Sequence, residues 1–414
     1  MTTTPATPVT PAPDLAWLEA HRLMLRTFAR GAVRPGGGFA WLDDDGVPRA
    51  GGDVELWITA RMTHVAALAV LEGDESFVDV LDHGVHSFLP GGVLRDEEHG
   101  GWFAAVGDDG TPTVSDKRAY EHAFVVLAAS SATAAGHPSG RALLGEALAI
   151  YDGHFWRDED GLAVDVWDRT WTTLEDYRGV NANMHSVEAM LAAWDVTGER
   201  RWLDHAFSIV ERVVHGFAAG NGYRLPEHFT SDWQERRDYN IDEPAHPFRP
   251  YGVTIGHLLE WSRLSLHVRH ALGEEAPAWL LEDARALVEV AVRDGWSVDG
   301  AEGFVYTTDF DGHPVVRDRL HWVVTEGIGA AWTLALVTGD ASALERYAAW
   351  WDHARRLFVD DEHGSWHHEL APDNTPASTV WDGKPDVYHA YQAALLPELG
   401  EIASLAGGLR DLRG

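Results

Sequence analysis

Two residues capable of acid–base chemistry, His257 and Glu260, lie inside an otherwise apolar stretch at residues 249–264, RPYGVTIGHLLEWSRL. The apolar spacing predicts a buried helix, on which residues three positions apart share a face. A buried imidazole and carboxylate cost free energy unless they are paired or used. Imidazole titrates near pH ~6.5 and can accept and return a proton at neutral pH. We therefore expect an acid–base pair in which Glu260 orients or charges the ring of His257.

Polar residues of similar types begin five other apolar, helix-like segments. These residues are Arg61 with His64, Tyr120 with His122, Asn181 with His185, His321 with Glu326, and His389. A single histidine in an apolar helix is more often a core residue than a functional one. Their recurrence at one equivalent level of six segments favours a shared site, and a ring of polar groups suits a small polyol.

Tryptophans accompany these polar residues. Trp57, Trp322 and Trp381 stand at or near the starts of the segments. Flat aromatic rings can stack on the C–H faces of a sugar, although packing explains most tryptophans. We include all three among the candidate substrate contacts.

An internal repeat of about sixty residues must position these side chains. Glycines before an apolar or aromatic residue mark it, at Gly38, Gly101, Gly161, Gly222, Gly303 and Gly364. Each unit has a short hairpin-like piece, an apolar helix and an amphipathic helix. About twelve helices result, the first at about 14–31. We predict an all-α (α/α)6 barrel of six inner and six outer helices with short β-hairpins in the connecting loops; an open superhelix is the alternative.

The chain divides unevenly along its length. Residues 1–13 predict a flexible Thr/Pro tail, and residues 14–410 predict a single catalytic domain. The fourth unit is about 20 residues longer than the others because of residues 227–250. Long connections of this kind are often functional, so we predict an ordered lid over the mouth of the site.

Composition excludes several classes of function. A net charge of −33 disfavours nucleic acid and anionic membranes as partners. The chain has no cysteine, no apolar run of membrane-spanning length and no signal-peptide pattern, so a cytoplasmic enzyme is expected. No HExxH, P-loop or GxGxxG motif occurs, and we expect neither a metal nor a cofactor.

Six motifs in order give the chain a resemblance to a known family. They are LWITARMTH, KRAYEHAF, NANMHSVEAML, YGVTIGHLLEWSRL, HWVVTEGIGAA and KPDVYHAYQAAL. The sequence resembles the N-acylglucosamine 2-epimerase-like sugar isomerases, and within them most the bacterial mannose isomerases and sulfoquinovose isomerases. The resemblance implies an (α/α)6 barrel, no metal or organic cofactor, and interconversion of aldoses and ketoses at C1 and C2.

The resemblance also implies roles for individual residues. His389 matches the histidine that moves a proton between C2 and C1. His257 matches a second acid–base histidine for ring opening and the sugar oxygens, and Glu260 matches the carboxylate that holds that region. The remaining matches imply substrate contacts at Arg61, Tyr120, Asn181, His185, Trp322 and Glu326.

The substrate and the reaction keep alternatives open. A neutral monosaccharide is expected, with D-mannose to D-fructose through a cis-enediol first, in a monomer or homodimer. Sulfoquinovose isomerisation or 2-epimerisation are alternatives, since both use histidine acid–base chemistry. A more remote alternative is an inverting glycoside hydrolase with Glu326 and either Glu121 or Asp53 as its carboxylates. The most remote is a helical scaffold that binds a protein partner.

Overall fold

Thirteen α-helices dominate the computed structural model, which describes residues 14–413. The predicted tail at residues 1–13 lies outside the described residues. The helices are α1 Leu15–Ala29, α2 Leu56–Leu71, α3 Val78–His86, α4 Ala119–Ala134, α5 Gly140–Ile150, α6 Val180–Thr197, α7 Arg200–Val210, α8 Ile255–Leu272, α9 Trp279–Gly295, α10 His321–Thr338, α11 Ala341–Leu357, α12 Tyr388–Leu395 and α13 Leu405–Arg413.

The even-numbered helices α2 to α12 form an inner ring. Each contacts the next, and α12 contacts both α10 and α2. The odd-numbered helices α1 to α11 lie outside, each packed on an inner helix. The predicted arrangement of six inner and six outer helices is therefore confirmed, and the ring of contacts replaces the open superhelix.

The two rings differ as their sequences require. All residues of α2 except Val70 are buried, as expected for a helix that is apolar on every side. The outer helix α7 instead buries one stripe at helical spacing, Trp202, Leu203, Ala206, Ile209 and Val210. A fully buried inner helix can therefore hold a polar residue only where that residue is paired or faces a cavity.

Short antiparallel strands fix the starts of the inner helices at one level. The strands are β1 Val54–Glu55, β2 Ala105–Val106, β3 Pro112–Val114, β4 Lys117–Arg118, β5 Trp156–Arg157, β6 Leu162–Ala163, β7 Val166–Trp167, β8 Arg178–Gly179, β9 His228–Phe229, β10 Val253–Thr254, β11 Thr307–Thr308, β12 Arg319–Leu320 and β13 Glu369–Leu370. Five pairs, β1–β2, β4–β7, β8–β9, β10–β11 and β12–β13, tie the segment before an inner helix to the following connection. A bridge between Leu42 and Lys384 joins the first connection to the segment before α12. The first residues of the six inner helices consequently face one another.

Helix α13 was not among the twelve helices expected from the repeat. It lies against the C-terminal ends of inner helices, where Arg410 donates to the backbone oxygen of Asp195 at 3.1 Å. It therefore covers the end of the barrel opposite the helix starts. Within residues 14–413, no helix has both the length and the apolar character needed to cross a membrane.

Candidate active site

A cavity opens at the N-terminal ends of the inner helices. It encloses about 600 Å³ of space, its open mouth included, which is within the usual range for small-molecule sites. Ten of the eleven predicted site residues line it: Trp57, Arg61, Tyr120, Asn181, His185, His257, Glu260, Trp322, Trp381 and His389. The eleventh, Glu326, does not line the cavity.

His389 and Glu326 form one histidine–carboxylate pair, named here the α12 dyad. The imidazole Nδ1–H of His389 donates to Oε1 of Glu326 at 2.9 Å. Behind it, Nε of Arg263 donates to the other oxygen of Glu326 at 2.8 Å. The predicted substrate contact by Glu326 is replaced by a position behind the histidine, where it fixes the tautomer and leaves Nε2 of His389 for the cavity.

His257 and Glu227 form a second pair, named here the α8 dyad. The imidazole Nδ1 of His257 lies 3.0 Å from both carboxylate oxygens of Glu227. The prediction that Glu260 orients or charges His257 is therefore wrong. Helical spacing placed the two on one helix, but the carboxylate that reaches the ring comes from the connection before β9.

Glu260 has a different environment from the two dyad carboxylates. It is 1% exposed, and its Oε1 lies 3.7 Å from Nδ1 of His185 and 3.6 Å from Nη2 of Arg263. These distances are too long for hydrogen bonds. Burial, followed by the charge of Glu326, raises the pKa of Glu260 well above its usual value. The carboxyl group therefore holds a proton more readily than an ordinary glutamate does.

Trp322 lies close to both catalytic candidates. Its ring centroid is 5.3 Å from that of His257 and 5.9 Å from that of His389. Gly256 permits this packing, because a Cβ there would stand 2.2 Å from the Trp322 ring. The indole thus brings α8, α10 and α12 together at the cavity wall.

Among residues 14–413, Arg61 is the arginine or lysine that lines the cavity, and it is already paired. Its guanidinium donates to Asp386 at 3.1 Å and to the hydroxyl of Tyr120 at 3.0 Å. Its guanidinium carbon lies 5.1 Å from the Trp57 ring centroid and 4.7 Å from that of Tyr388. Asp386 also accepts the backbone N–H of Tyr388 at 2.8 Å. Arg61 is thereby held rigidly, and its charge is offset.

Four histidines of the cavity have pKa values below the usual range for imidazole, which favours their neutral form. Burial, and then the Arg61 cation, keeps the pKa of His389 and of His185 well below the usual range. Burial lowers the pKa of His321 to about 4, and burial and the neighbouring His321 lower the pKa of His368. A neutral His389 has a free lone pair on Nε2, as a general base requires.

Sequence reasoning missed Glu227 and Asp386, although a register signal for Glu227 was present. In the connections between repeat units, one residue lies three to five positions after the marker glycine. Its backbone oxygen accepts the first backbone N–H of an inner helix. Glu227 accepts from Val180, Tyr306 from Ile255, and His368 from His321, at 3.2, 3.1 and 3.0 Å. Aligning these positions would have found polar side chains at the cavity wall. Asp386, two residues before α12, has no counterpart in that alignment.

The carboxylates proposed for a glycoside hydrolase do not face one another across this cavity. Glu326 lies behind His389, and Glu121 lines a neighbouring groove. Asp53 accepts a hydrogen bond from Thr113 at 2.6 Å and does not line the cavity. Glycosidic hydrolysis needs two carboxyl groups on either side of one bond, so this geometry does not support it.

Comparison with known proteins places the chain among sugar isomerases and epimerases. The profile of the N-acylglucosamine 2-epimerase family matches residues 37–393. The chain is 54% identical to a D-mannose isomerase of Thermobifida fusca, over 95% of this chain and 96% of that protein. It is 47% identical to a D-mannose isomerase of Pseudomonas cannabina pv. alisalensis, over 96% and 95%. A crystal structure of D-mannose isomerase superposes with a TM-score of 0.86 at 28% identity, covering 95% of this chain and 99% of that one.

Proposed function

The chain belongs to the N-acylglucosamine 2-epimerase family, and from that premise we propose that it is an isomerase that interconverts D-mannose and D-fructose. The observation that supports this most directly is the pair of histidine–carboxylate dyads on one cavity. Moving a hydrogen between C2 and C1 requires one group that acts at carbon and one that acts at the sugar oxygens. The cavity offers a separate dyad for each task.

The α12 dyad acts at carbon. Neutral His389 removes the proton from C2 of open-chain mannose through Nε2 and returns it to C1, so the ring ends the cycle as it began. The C2–H electrons form the C1–C2 double bond of the cis-enediol, and O1 gains a proton. Glu326 holds the tautomer of His389 and stabilises the imidazolium that His389 becomes while the enediol exists, as a buried carboxylate does in a catalytic triad.

The α8 dyad acts at oxygen. Ring opening moves a proton from the O1 hydroxyl to the ring oxygen, and enediol formation and collapse move protons on O1 and O2. His257 carries these protons, and Glu227 orients its ring through Nδ1. Arg61 and Tyr120 are hydrogen-bond donors on the same wall and stabilise negative charge that develops on oxygen.

The charge of the cavity favours a neutral sugar over an anionic one. Arg61 is offset by Asp386, so the lining formed by the described residues has no free cation for a sulfonate or phosphate. Arg249, on the long loop, is engaged by Glu175 through two bonds of 2.8 Å. An unphosphorylated, unsulfonated hexose therefore fits better than sulfoquinovose.

Substrate comparison tests this function. The purified protein is incubated in D2O with mannose, sulfoquinovose or N-acetylglucosamine, and products are followed by NMR. We expect fructose from mannose, with deuterium at C1 to the extent that the proton held by His389 exchanges with solvent before its return, and at least tenfold slower conversion of the other two sugars. Absence of fructose, or faster turnover of sulfoquinovose, would reject the assignment. His313→Ala, a change at an exposed surface turn, serves as the activity control.

A further inference from the structure

A second and larger space adjoins the cavity. This groove encloses about 1590 Å³, open solvent included, along the connections of the second, third and fourth repeat units. The cavity and the groove share three lining residues, Tyr120, Asn181 and Phe248. The two spaces are therefore separated by one thin wall.

Phe248 is the part of this wall that comes from the long loop. Its ring centroid lies 6.1, 5.7 and 5.3 Å from those of Trp57, Tyr120 and Trp381, each in an edge-to-face arrangement. Together with these three rings, Phe248 forms an aromatic wall on the side of the cavity that faces the groove. Edge-to-face contacts of this kind stabilise a defined ring position.

The backbone around Phe248 is fixed on both sides. Nδ1 of His246 accepts the backbone N–H groups of Phe248 and Arg249 at 3.2 and 3.1 Å. The guanidinium of Arg249 is bidentate to Glu175 and lies 3.9 Å from the ring centroid of Tyr177. The segment at residues 227–250, predicted to be a lid, therefore contributes a firmly held stretch around Phe248 to the wall of the cavity.

The groove beyond the wall has the chemistry of a sugar-binding surface. Tyr177 and Tyr239 stand against each other with ring centroids 5.1 Å apart. Glu121 is 5% exposed and lines the groove; its Oε1 lies 3.5 Å from Arg118, while its buried Oε2 has no hydrogen-bond partner among the described residues. A buried acceptor without a donor costs free energy, and a sugar hydroxyl supplies the missing donor. Aromatic rings and carboxylate acceptors together suit a neutral saccharide.

We propose that Phe248 is the specificity-determining residue that restricts this enzyme to a single sugar ring. In this inference, which rests on the proposed mannose isomerase function, the polar groups of the cavity recognise the reducing sugar. Phe248 fills the path that a second sugar, attached to the reducing sugar, would take into the groove. Removing the ring joins the two spaces, and a disaccharide becomes a substrate at its reducing end.

The experiment compares wild type with Phe248→Ala on mannose and on 4-O-β-mannosyl-mannose. The ratio of kcat/KM for the disaccharide to kcat/KM for mannose is measured by ketose formation. We expect this ratio to rise at least tenfold in Phe248→Ala. Ile241→Ala, at a half-exposed position of the same loop, is the matched control and leaves the ratio unchanged.

Two further variants connect the result to the groove. Adding Glu121→Ala to Phe248→Ala is expected to remove part of the gain for the disaccharide, because both carboxylate acceptors are lost. Phe248→Leu, checked by its thermal melting curve, replaces the alanine variant if the latter does not fold, and a smaller rise is expected. Disaccharide binding is followed independently through tryptophan fluorescence, because Trp57 and Trp381 contact the Phe248 ring.

The outcomes separate this inference from the function beneath it. If wild type converts mannose but Phe248→Ala neither binds nor converts the disaccharide better than wild type, the inference is overturned and the function stands. A wild type that already converts both sugars equally well also overturns it. A wild type that does not convert mannose rejects the proposed function itself, and the inference falls with it.

Discussion

The α12 dyad and the α8 dyad use the same two residue types in different electrostatic surroundings. Glu326 shares its charge between His389 and Arg263 and lies deep in the barrel. Glu227 comes from a connection, and within residues 14–413 no arginine or lysine lies within ion-pair distance of it. Both of its oxygens face Nδ1 of His257.

This difference separates two tasks that one histidine could not perform equally well. A base for C–H cleavage must be neutral before the reaction, and burial with a nearby cation lowers the pKa of His389 to ensure this. A histidine that transfers protons among sugar oxygens works better when a carboxylate hydrogen-bonds to its imidazole and to no other cation. The barrel supplies the first environment between inner helices and the second at a connection.

Replacing the two histidines gives the largest expected contrast. We expect His389→Ala to lower kcat for mannose by about 10³-fold or more, because C–H cleavage has no substitute base. His257→Ala is expected to lower kcat by about 10²-fold, since water can carry protons among oxygens. Steady-state kinetics measures both losses. Equal losses, or the reverse order, would contradict the division of tasks.

Removing Arg263 tests what distinguishes the α12 dyad. Arg263→Met leaves Glu326 without its buried cation, and breaking a buried ion pair costs about 3–5 kcal/mol. The free energy of unfolding, from urea denaturation at pH 7, is expected to fall by that amount. Breaking the exposed Arg200–Asp204 pair with Arg200→Met should cost only about 0–1 kcal/mol. A fall of less than about 1 kcal/mol for Arg263→Met would show that Glu326 is not charge-balanced as described.

The charge of Glu260 gives a pH-dependent test of a carboxylate outside either dyad. The pKa of Glu260 is raised in the folded protein. Above the usual glutamate pKa, the unfolded state therefore releases a proton that the folded state still binds. Stability contributed by this group is therefore lost as pH rises above about 4.5. Glu260→Gln lacks this loss, so its stability relative to wild type should increase with pH, by up to about 1.4 kcal/mol per pH unit. A difference that is constant between pH 5 and pH 8 would refute the assignment.

The acid limb of the activity profile tests the neutral state of His389. Activity needs the unprotonated ring and is lost as pH falls through the folded pKa. Because that pKa is lowered by burial and Arg61, the acid limb of kcat/KM for mannose should lie below pH ~6.5. Removing the cation with Arg61→Met should move the limb to higher pH, in addition to weakening binding. A limb at or above pH 6.5 in wild type would argue against a buried neutral base.

The sequence predicts the ring architecture well because the repeat carries it. Apolar inner helices, amphipathic outer helices and a regular spacing leave few other arrangements, and ten of the eleven proposed site residues do line one cavity. Helix α13 was not predicted because its segment, LAGGLRDLR, contains two glycines and lies beyond the last repeat unit. The repeat period has no information about a segment outside it.

The histidine–carboxylate pairs of the site could not be predicted from the sequence, for a physical reason. Helical spacing connects His257 only to neighbours on its own helix and suggested Glu260. The partner that reaches it, Glu227, is 30 residues away and arrives through the β8–β9 pairing. In the same way, Glu326 reaches His389 across 63 residues. Contacts between repeat units depend on strand register and on helix rotation, which local periodicity does not specify.

The division of tasks is tested most directly by a kinetic isotope effect. Wild type, Glu326→Gln and Glu227→Gln are compared on mannose and on mannose deuterated at C2, as the ratio of kcat/KM values. Glu326→Gln slows C–H cleavage, so its isotope effect should equal or exceed that of wild type. Glu227→Gln slows ring opening and proton transfer at oxygen, so its isotope effect should fall towards one. A reduced effect in Glu326→Gln with a full effect in Glu227→Gln would contradict the account.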